Sequence, residues 1–420
     1  MNERMNRARL NIGAYTLQPY AQTEKHVREI AECGIDFIVC LNAQQPGILD
    51  AFEKHHVGAI LTNIVPGWWG GDGKDAGKLE KKNPLPLYAE SAARFADHPA
   101  VWGIDVGDEP SALDFPYYGR VVDTVNSLFP HQFAYLNLYP NYASVSQNNA
   151  SQTVNQLGTA TYAEHIQRYV ENVPTDYICY DFYMYSASVA GAYENLRIVS
   201  DACLRTGRSM WIVLQVNSSR PAEWISENQL RFQAYSAMAF GAENIIWACY
   251  TAGWWHNQVL DENGEKTEQY EKLQRINAEL RVIGDAYMRY RRTATHFVGF
   301  TEGDPDLACL EQKPIDTLST GIFFDLHAES GRLICGEMVS RGTDGSHAIL
   351  LSDACDPKDT APSVHTVRFR AHNRKITLID AEGAHALTPD EQGRYAFPLE
   401  SCHGALLIAQ YKQYCTSHSG

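Results

Sequence analysis

Short apolar stretches rich in valine, isoleucine, tyrosine and tryptophan recur eight times in the first 250 residues, and this recurrence restricts the fold more than any other feature. On average they begin about 33 residues apart, which is the length of one β-strand plus its return helix. Several are apolar on both faces, as strands covered by helices must be. Eight such units predict a closed (β/α)8 barrel, the TIM barrel. The predicted strands are 9–16, 34–41, 57–64, 100–107, 133–138, 176–183, 209–216 and 243–250.

Helical patterns fill the intervals between these strands. The predicted helices are 23–33, 88–96, 115–128, 162–172, 193–205, 229–240 and 268–290. After residue 292 the pattern changes to short strand-like runs separated by Asp-Gly, Glu-Gly and Gln-Gly turns, which is typical of a small antiparallel β-sandwich. The predicted sandwich strands are 321–325, 333–337, 347–351, 366–370, 376–379 and 405–410. We therefore predict an α/β chain with a catalytic barrel at 1–294 and a β-sandwich domain at 295–420.

The charge balance narrows the class of partner. The chain carries 35 lysines and arginines against 50 aspartates and glutamates, a formal net charge of −15. Because such an acidic surface repels phosphate backbones and anionic lipid, nucleic acid and membrane are not expected as partners.

No apolar run follows the N-terminal arginines, and none of the ten cysteines forms a C-x-x-C pair, so we expect a reduced, cytoplasmic protein. A removed signal peptide and a homo-oligomeric state stay open.

Several well-known catalytic and cofactor motifs are missing from the sequence. It contains no H-E-x-x-H zinc motif, no G-x-G-x-x-G or G-K-[ST] phosphate-binding loop and no G-x-S-x-G nucleophile elbow. No metal and no cofactor is therefore expected, and the chemistry has to come from other side chains.

Reactive groups of TIM barrels project from the carboxyl ends of the strands. The predicted fourth strand ends with Asp108 and Glu109, followed by Pro110. Acidic residues before proline are also an ordinary helix start, so this alternative stays open. A carboxyl group held against aromatic walls would be desolvated and its pKa raised, as a general acid at neutral pH requires. Tryptophans that could form such walls lie in neighbouring loops: Trp68, Trp69, Trp254 and Trp255.

The ends of later strands supply further candidates. Asp181 lies near the end of the sixth strand with Tyr183 beyond it, although a capping or packing role is nearly as well supported. The seventh strand ends with Gln215, an amide that can bind a hydroxyl group but cannot act as a glycosyl nucleophile or base. Glu223, in the loop after that strand, is another carboxylate within the same region. Trp254 is suited to stacking on the C–H face of a sugar ring, or to roofing the barrel.

These residues resemble the clan A glycoside hydrolases, a β-galactosidase-like superfamily of TIM barrels. The resemblance rests on the run 98–103, on Gly107-Asp-Glu-Pro110, on 136–143, on Tyr180-Asp-Phe-Tyr183 and on 229–235. It covers residues 9 to about 290, and Asp-Glu-Pro on strand four resembles a poorly characterised subgroup. It implies that Glu109 is the general acid/base and that Asp181, Tyr183 and Tyr250 line the sugar subsite. It also implies a glutamate nucleophile at the end of strand seven, where Gln215 stands instead.

We therefore predict a glycoside hydrolase that cleaves a terminal sugar, with Glu109 as general acid/base and Asp181 or Glu223 as the second carboxylate. Whether the reaction retains or inverts configuration stays open. The alternative is a saccharide-binding protein on a degenerate barrel, which would bind sugar tightly without turnover. The residues predicted to bind the saccharide are Asp108, Asn137, Tyr183, Gln215, Tyr250, Trp68 and Trp254.

Overall fold

The computed structural model of the chain describes residues 4–71, 73–91, 98–143, 156–358 and 363–411. Its first sheet is a closed barrel of eight parallel strands that pair in chain order, with β8 returning to β1. This architecture confirms the predicted (β/α)8 fold. The strands are β1 (Asn11–Tyr15), β2 (Phe37–Leu41), β3 (Gly58–Leu61), β4 (Val101–Asp108), β5 (Phe133–Leu138), β6 (Tyr177–Phe182), β7 (Ser209–Gln215) and β8 (Ala242–Ala248).

Nine α-helices are present in the described part of the chain. They are α1 (Glu24–Glu32), α2 (Ile48–Lys54), α3 (Leu79–Lys82), α4 (Leu85–Ser91), α5 (Phe115–Leu128), α6 (Tyr162–Asn172), α7 (Val189–Thr206), α8 (Glu227–Ala239) and α9 (Glu268–Tyr287). Side-chain caps set the starts of α1, α6, α7 and α8: for example, Thr161 accepts a hydrogen bond from the Glu164 amide, and Ser226 forms a reciprocal capping box with Gln229. None of the described helices is long and apolar enough to span a bilayer.

Large aromatic side chains fill the interior of the barrel. The rings of Tyr177 and Trp211 stack with centroids 4.2 Å apart, and Phe133 meets Trp211 edge-on at 5.4 Å. Gly13 leaves space for another ring, because a Cβ atom there would lie 2.4 Å from Cζ of Phe37. This packed interior leaves polar side chains to the strand ends, where the candidate site lies.

Two antiparallel sheets follow the barrel. One has the order β10-β13-β16 and the other the order β15-β14-β17-β12-β11-β9. Both sheets contribute side chains to one apolar core, as a β-sandwich requires: Phe369 and Phe397 come from the first, and Leu351 and Leu407 from the second. The strands are β9 (Tyr290–Val298), β10 (Phe323–Ala328), β11 (Leu333–Ser340), β12 (His347–Asp353), β13 (Val364–Ala371), β14 (Arg374–Asp380), β15 (Gly383–Leu387), β16 (Arg394–Glu400) and β17 (Gly404–Tyr411).

The chain forms two compact units: residues 1–225 with 242–277, and residues 226–241 with 278–420. Helix α9 ends at Tyr287, not at the predicted residue 290, because Tyr290–Val298 is extended and pairs with β11. The proposed boundary between residues 294 and 295 falls inside this strand. Strands β9, β15 and β16 and helices α2 and α3 were not predicted, since their sequences are short or carry mixed polar patterns.

Candidate active site

The acidic pair at the end of β4 is held by backbone hydrogen bonds on both sides. The Glu109 amide donates to the Asn137 carbonyl oxygen at 2.9 Å, and the Asp108 amide donates to that of Trp68 at 2.8 Å. Glu109 has a left-handed backbone with φ 47°, which turns its side chain away from the regular strand direction. The loop after β3 approaches so closely that a Cβ atom on Gly70 would lie 1.5 Å from the Glu109 carbonyl oxygen. Only glycine fits there.

Trp69 is the indole that contacts the predicted general acid. Its Nε1 donates a hydrogen bond to Oε2 of Glu109 at 3.1 Å, while 68% of the residue stays exposed. The predicted sugar-binding neighbour Trp68 instead lies beside Lys82, whose Nζ is 5.5 Å from its ring centroid. Successive side chains of an extended segment point in opposite directions, which explains why Trp69 reaches the acid while Trp68 reaches the lysine.

Asn137, on β5, connects the two aspartates of the site. Its Nδ2 donates to Oδ1 of Asp108 at 3.0 Å and to Oδ1 of Asp181 at 2.8 Å. Asn137 and Asp181 are only 3% and 5% exposed. Because one amide nitrogen serves both carboxylates, both N–H groups of Asn137 are taken by protein, and it positions the two acids relative to each other. Its predicted role in binding sugar stays a prediction.

A buried chain of polar side chains lies under Asn137. Cys179 Sγ donates towards Oδ1 of Asn137 at 3.5 Å and lies 3.4 Å from the hydroxyl of Tyr135, which is 3.0 Å from the hydroxyl of Tyr15. These side chains come from β1, β5 and β6. The contact with the thiol fixes the amide of Asn137 with its nitrogen towards the carboxylates. None of the supporting residues was predicted.

The carboxyl groups of this site resist ionisation. Burial raises the pKa of Glu109 well above its ordinary value, and the negative charges of Asp181 and Asp108 raise it further. Burial raises the pKa of Asp108 to about 6, and burial together with the charge of Asp108 raises that of Asp181 to about 7. The groups that oppose these shifts at Asp108 and Glu109 are neutral donors: an amide side chain, a backbone amide and an indole. The site therefore favours the protonated form of Glu109.

Asp105 is a fourth acid that sequence reasoning missed. Its carboxylate accepts hydrogen bonds from the Gly107 amide at 3.0 Å and from Cys40 Sγ at 3.5 Å. Burial and the nearby charge of Asp108 raise its pKa to about 7. It lies three residues before Asp108 on the same strand, a position that alternation alone would not single out.

The Asp105→Asn variant should be more stable than the wild type above neutral pH. The pKa of this carboxyl group is about 3.9 in the unfolded chain and about 7 in the folded chain. Between these pH values the unfolded chain ionises more readily than the folded one, so the free energy of unfolding falls as the pH rises. The neutral amide avoids this loss, so the gain should grow from pH 4 to pH 7, up to about 4 kcal/mol for a shift of about three pKa units. Urea unfolding at several pH values measures it. Asp123→Asn, at an exposed position on α5, is the control. A gain that does not depend on pH would contradict the explanation.

Aromatic rings line one side of the site. Tyr183 lies between two indoles, with centroids 5.9 Å from Trp254 and 5.0 Å from Trp255. Trp254 Nε1 is buried and has no hydrogen-bond partner among the described residues. Tyr142 packs edge-on against Phe182, with ring centroids 5.2 Å apart; it is half exposed, and the charges of Asp181 and Glu109 contribute to raising its pKa. Tyr142 was not among the predicted site residues.

Gln215, at the end of β7, is occupied by protein contacts. Its Oε1 accepts from the Tyr185 amide at 3.0 Å, and its Nε2 donates to Ser186 Oγ at 3.1 Å and to the Asn217 carbonyl oxygen at 3.0 Å. Only 1% of the residue is exposed. The amide ties the end of β7 to the loop after β6, which is a structural role. Its predicted contact with sugar stays untested.

Two other sequence candidates make their described contacts outside the acid cluster. Glu223 is exposed and forms an ion pair with Arg220 at 2.7 Å. Tyr250 is fully buried, and the residues whose charges raise its pKa include Cys33 and Tyr270, on the helix side of the barrel wall. Because Cys249 belongs to the interior cluster, the next side chain points outwards. The side chain of Tyr250 therefore lies on the outer side of the barrel wall, and no described contact joins Glu223 to Glu109.

Comparisons with known proteins give similar folds and no sequence family. No family model and no curated protein matches the chain. A glycoside hydrolase family 5 protein from Bacteroides vulgatus matches with TM-score 0.52 and 9% identity over 97% of this chain and 91% of its own. An α-amylase from Anoxybacillus matches with TM-score 0.51 and 9% identity over 98% and 100%. A β-galactosidase from the psychrophilic Marinomonas ef1 gives TM-score 0.46 and 10% identity over 66% of this chain and 61% of that chain. The chain shares the TIM-barrel fold of solved glycoside hydrolases.

Proposed function

We propose that this protein is a glycoside hydrolase that removes a terminal sugar, with Glu109 as the general acid/base. The observation that carries the proposal is the acid cluster itself: Asn137 bonds both Asp108 and Asp181, and the charges of these two aspartates raise the pKa of Glu109. Glycoside hydrolysis needs one protonated carboxyl group and one ionised carboxylate on opposite sides of the bond to be cleaved. Fold similarity supports the class of enzyme only as an analogy.

Asp181 is our choice for the second carboxylate. Its charge acts on Glu109, whose pKa it raises. The hydrogen bonds that Asp181 accepts from Asn137 and Tyr183 favour its ionised form, which a nucleophile or base needs. Glu223 lacks this arrangement, since it is exposed and paired with Arg220. Glu109 would protonate the leaving oxygen, and Asp181 would attack the anomeric carbon or activate a water molecule.

The surrounding rings suit a carbohydrate. Trp69 and Trp255 offer flat apolar faces for the C–H side of a sugar ring, and Tyr142 offers a hydroxyl group near both acids. Aromatic faces beside a few convergent polar groups are the usual composition of a small-molecule site.

The direct test is release of sugar. The protein is incubated with a panel of aryl glycosides and plant oligosaccharides, and released phenol and reducing sugar are measured. Turnover of at least one glycoside supports the proposal. Saccharide binding detected by calorimetry without any released sugar would contradict it and favour the binding-protein alternative.

The pH dependence of kcat/KM should form a bell that moves in a defined direction in Asp108→Asn. Deprotonation of Glu109 limits the alkaline side, and protonation of Asp181 limits the acidic side. The charge of Asp108 raises both pKa values, so its removal should shift both limbs to lower pH. The asparagine can still accept the hydrogen bond from Asn137. Because the acids are coupled, each limb reports the cluster and not one residue. If the acidic and alkaline limbs of the pH profile move apart or stay where they are in Asp108→Asn, the assignment of Glu109 and Asp181 as acid and base is contradicted.

A further inference from the structure

A second cluster of reactive side chains lies in the β-sandwich unit. Asp353 ends β12, Cys355 follows two residues later, and His365 is the second residue of β13. One ligand atom from each of these three residues lies within 4.8 Å of the others. Carboxylate, thiolate and imidazole are all ligands of structural and catalytic zinc.

Contacts converge on one atom, Nε2 of His365. Cys355 Sγ lies 3.1 Å from it, Ser363 Oγ 3.2 Å and Asp353 Oδ2 3.7 Å. An imidazole nitrogen carries one proton or one lone pair, so it cannot satisfy three partners by hydrogen bonding. In a tetrahedral zinc site, bond lengths of about 2.0–2.3 Å place neighbouring ligand atoms roughly 3.4–3.6 Å apart. The distances from Nε2 of His365, 3.1 Å to Sγ of Cys355 and 3.7 Å to Oδ2 of Asp353, lie on either side of this range.

Asp353 gives the independent sign of a missing ligand. It is 0% exposed, and its Oδ2 makes no hydrogen bond of ordinary length among the described residues, since Nε2 of His365 lies 3.7 Å away. Its Oδ1, in contrast, accepts from the amides of Cys355 and Cys402, each at 3.0 Å. A buried carboxylate oxygen without a donor is costly, and a cation removes the cost. The unpartnered oxygen belongs to the same set of atoms as the thiol and the imidazole.

A thiol–imidazole–carboxylate catalytic triad does not fit this geometry. In such a triad the thiol and the carboxylate contact different ring nitrogens. Here Cys355 and Asp353 approach the same nitrogen, and Nδ1 of His365 faces Ser330 Oγ at 3.4 Å. Gly331 leaves space for the ring, since a Cβ atom there would lie 2.8 Å from Nδ1. The arrangement orients the imidazole so that Nε2 points at the other two ligands.

We propose that Asp353, Cys355 and His365 bind a divalent transition-metal ion, zinc by preference, through Oδ2, Sγ and Nε2. A water molecule or Ser363 Oγ would complete the coordination. Binding releases the thiol proton of Cys355 to solvent, and one thiolate plus one carboxylate then balance the two positive charges of the ion. The ion joins the end of β12 to the start of β13. Through the Cys402 amide on Oδ1, it also stabilises the turn before β17.

Metal binding to the full-length reduced protein tests the proposal. After dialysis against a chelator, zinc is added back and measured by mass spectrometry and by competition with a chromophoric chelator. We expect about one zinc per chain, and a thiolate-to-metal charge-transfer band when cobalt replaces zinc. Chelation should lower the thermal midpoint of the wild type. A wild type that binds neither metal, or a cobalt spectrum without a thiolate band, would overturn the proposal.

Variants separate this site from incidental binding. Cys355→Ser and His365→Gln should lower zinc affinity by more than the roughly 10–100-fold that loss of an outer partner costs, and Cys355→Ser should abolish the charge-transfer band. Cys309→Ser is the matched control for an exposed thiol. His98→Gln controls for the exposed cluster of Asp50, Glu53 and His98. Equal zinc binding in Cys355→Ser and the wild type would contradict the proposal, and sugar release measured in parallel reports on the separate catalytic proposal.

Discussion

Glu109→Gln should lower kcat/KM for unactivated glycosides by about 10²–10⁴-fold, the contribution of a positioned general acid. The amide cannot give a proton to the leaving oxygen, although it can still accept the hydrogen bond from Trp69. Glycosides with a good leaving group, such as dinitrophenyl glycosides, need little protonation and should lose much less. The ratio between the two substrate types, measured by initial rates, identifies the proton-donating role.

A matched control distinguishes this effect from a general disturbance. Glu262→Gln changes an exposed glutamate of the same unit and should leave both rates unchanged. The Glu109 variant should fold at least as well as the wild type near neutral pH, because it replaces a carboxyl group whose ionisation burial opposes. Full activity of Glu109→Gln on an unactivated glycoside would refute the assignment of the acid.

Asp181→Asn should remove activity on both types of substrate, by about 10³-fold or more. The substitution keeps the shape of the side chain and an oxygen that can accept from Asn137, but it removes the charge needed for attack on the anomeric carbon or on water. A good leaving group cannot compensate for a missing nucleophile or base. This loss across substrates separates the role of Asp181 from that of Glu109.

Two further measurements test Asp181 against its competitor. Glu223→Gln should keep nearly full activity, because that carboxylate is exposed and paired with Arg220. If Asp181 is the nucleophile, azide added to Asp181→Ala should restore turnover and give a glycosyl azide of inverted configuration. If it is a base, the wild type should release the inverted anomer, as seen by NMR. Loss of activity in Glu223→Gln with retention in Asp181→Asn would reverse our choice.

Predictions from the sequence were most accurate where local pattern and tertiary packing agree. The spacing of apolar runs predicted all eight barrel strands, and β5, α5 and α6 have the predicted limits. Helix α2 was missed because its seven residues are too few for a clear period. Strand β16 was missed although its buried and exposed positions alternate, because the proline within it and the charged residues at its ends weaken the strand signal. Short elements depend on packing partners that only the folded chain supplies.

The candidate acids that the structure brings together are those that the sequence analysis took from strand ends. Glu109, Asp108 and Asp181 follow from the rule that reactive groups lie at the carboxyl ends of barrel strands, and the structure brings them together. The sequence analysis named Trp68 as a saccharide-binding residue, whereas the structure places Trp69 beside the acids, because Trp69 pairs with Asp108 through a backbone bridge. Asp105 lies below the strand end, and Tyr142 lies in a loop, so neither carried a signal in the sequence.

What the sequence alone determined is the barrel, the sandwich after it and the acids at the ends of β4 and β6, because apolar periodicity and strand order follow directly from residue spacing. The tertiary structure decided which side chains meet: Asn137 between Asp108 and Asp181, Gln215 bonded to neighbouring loops, and Tyr250 turned outwards. These contacts join residues tens of positions apart. Loop geometry and burial set them, and no local pattern encodes either.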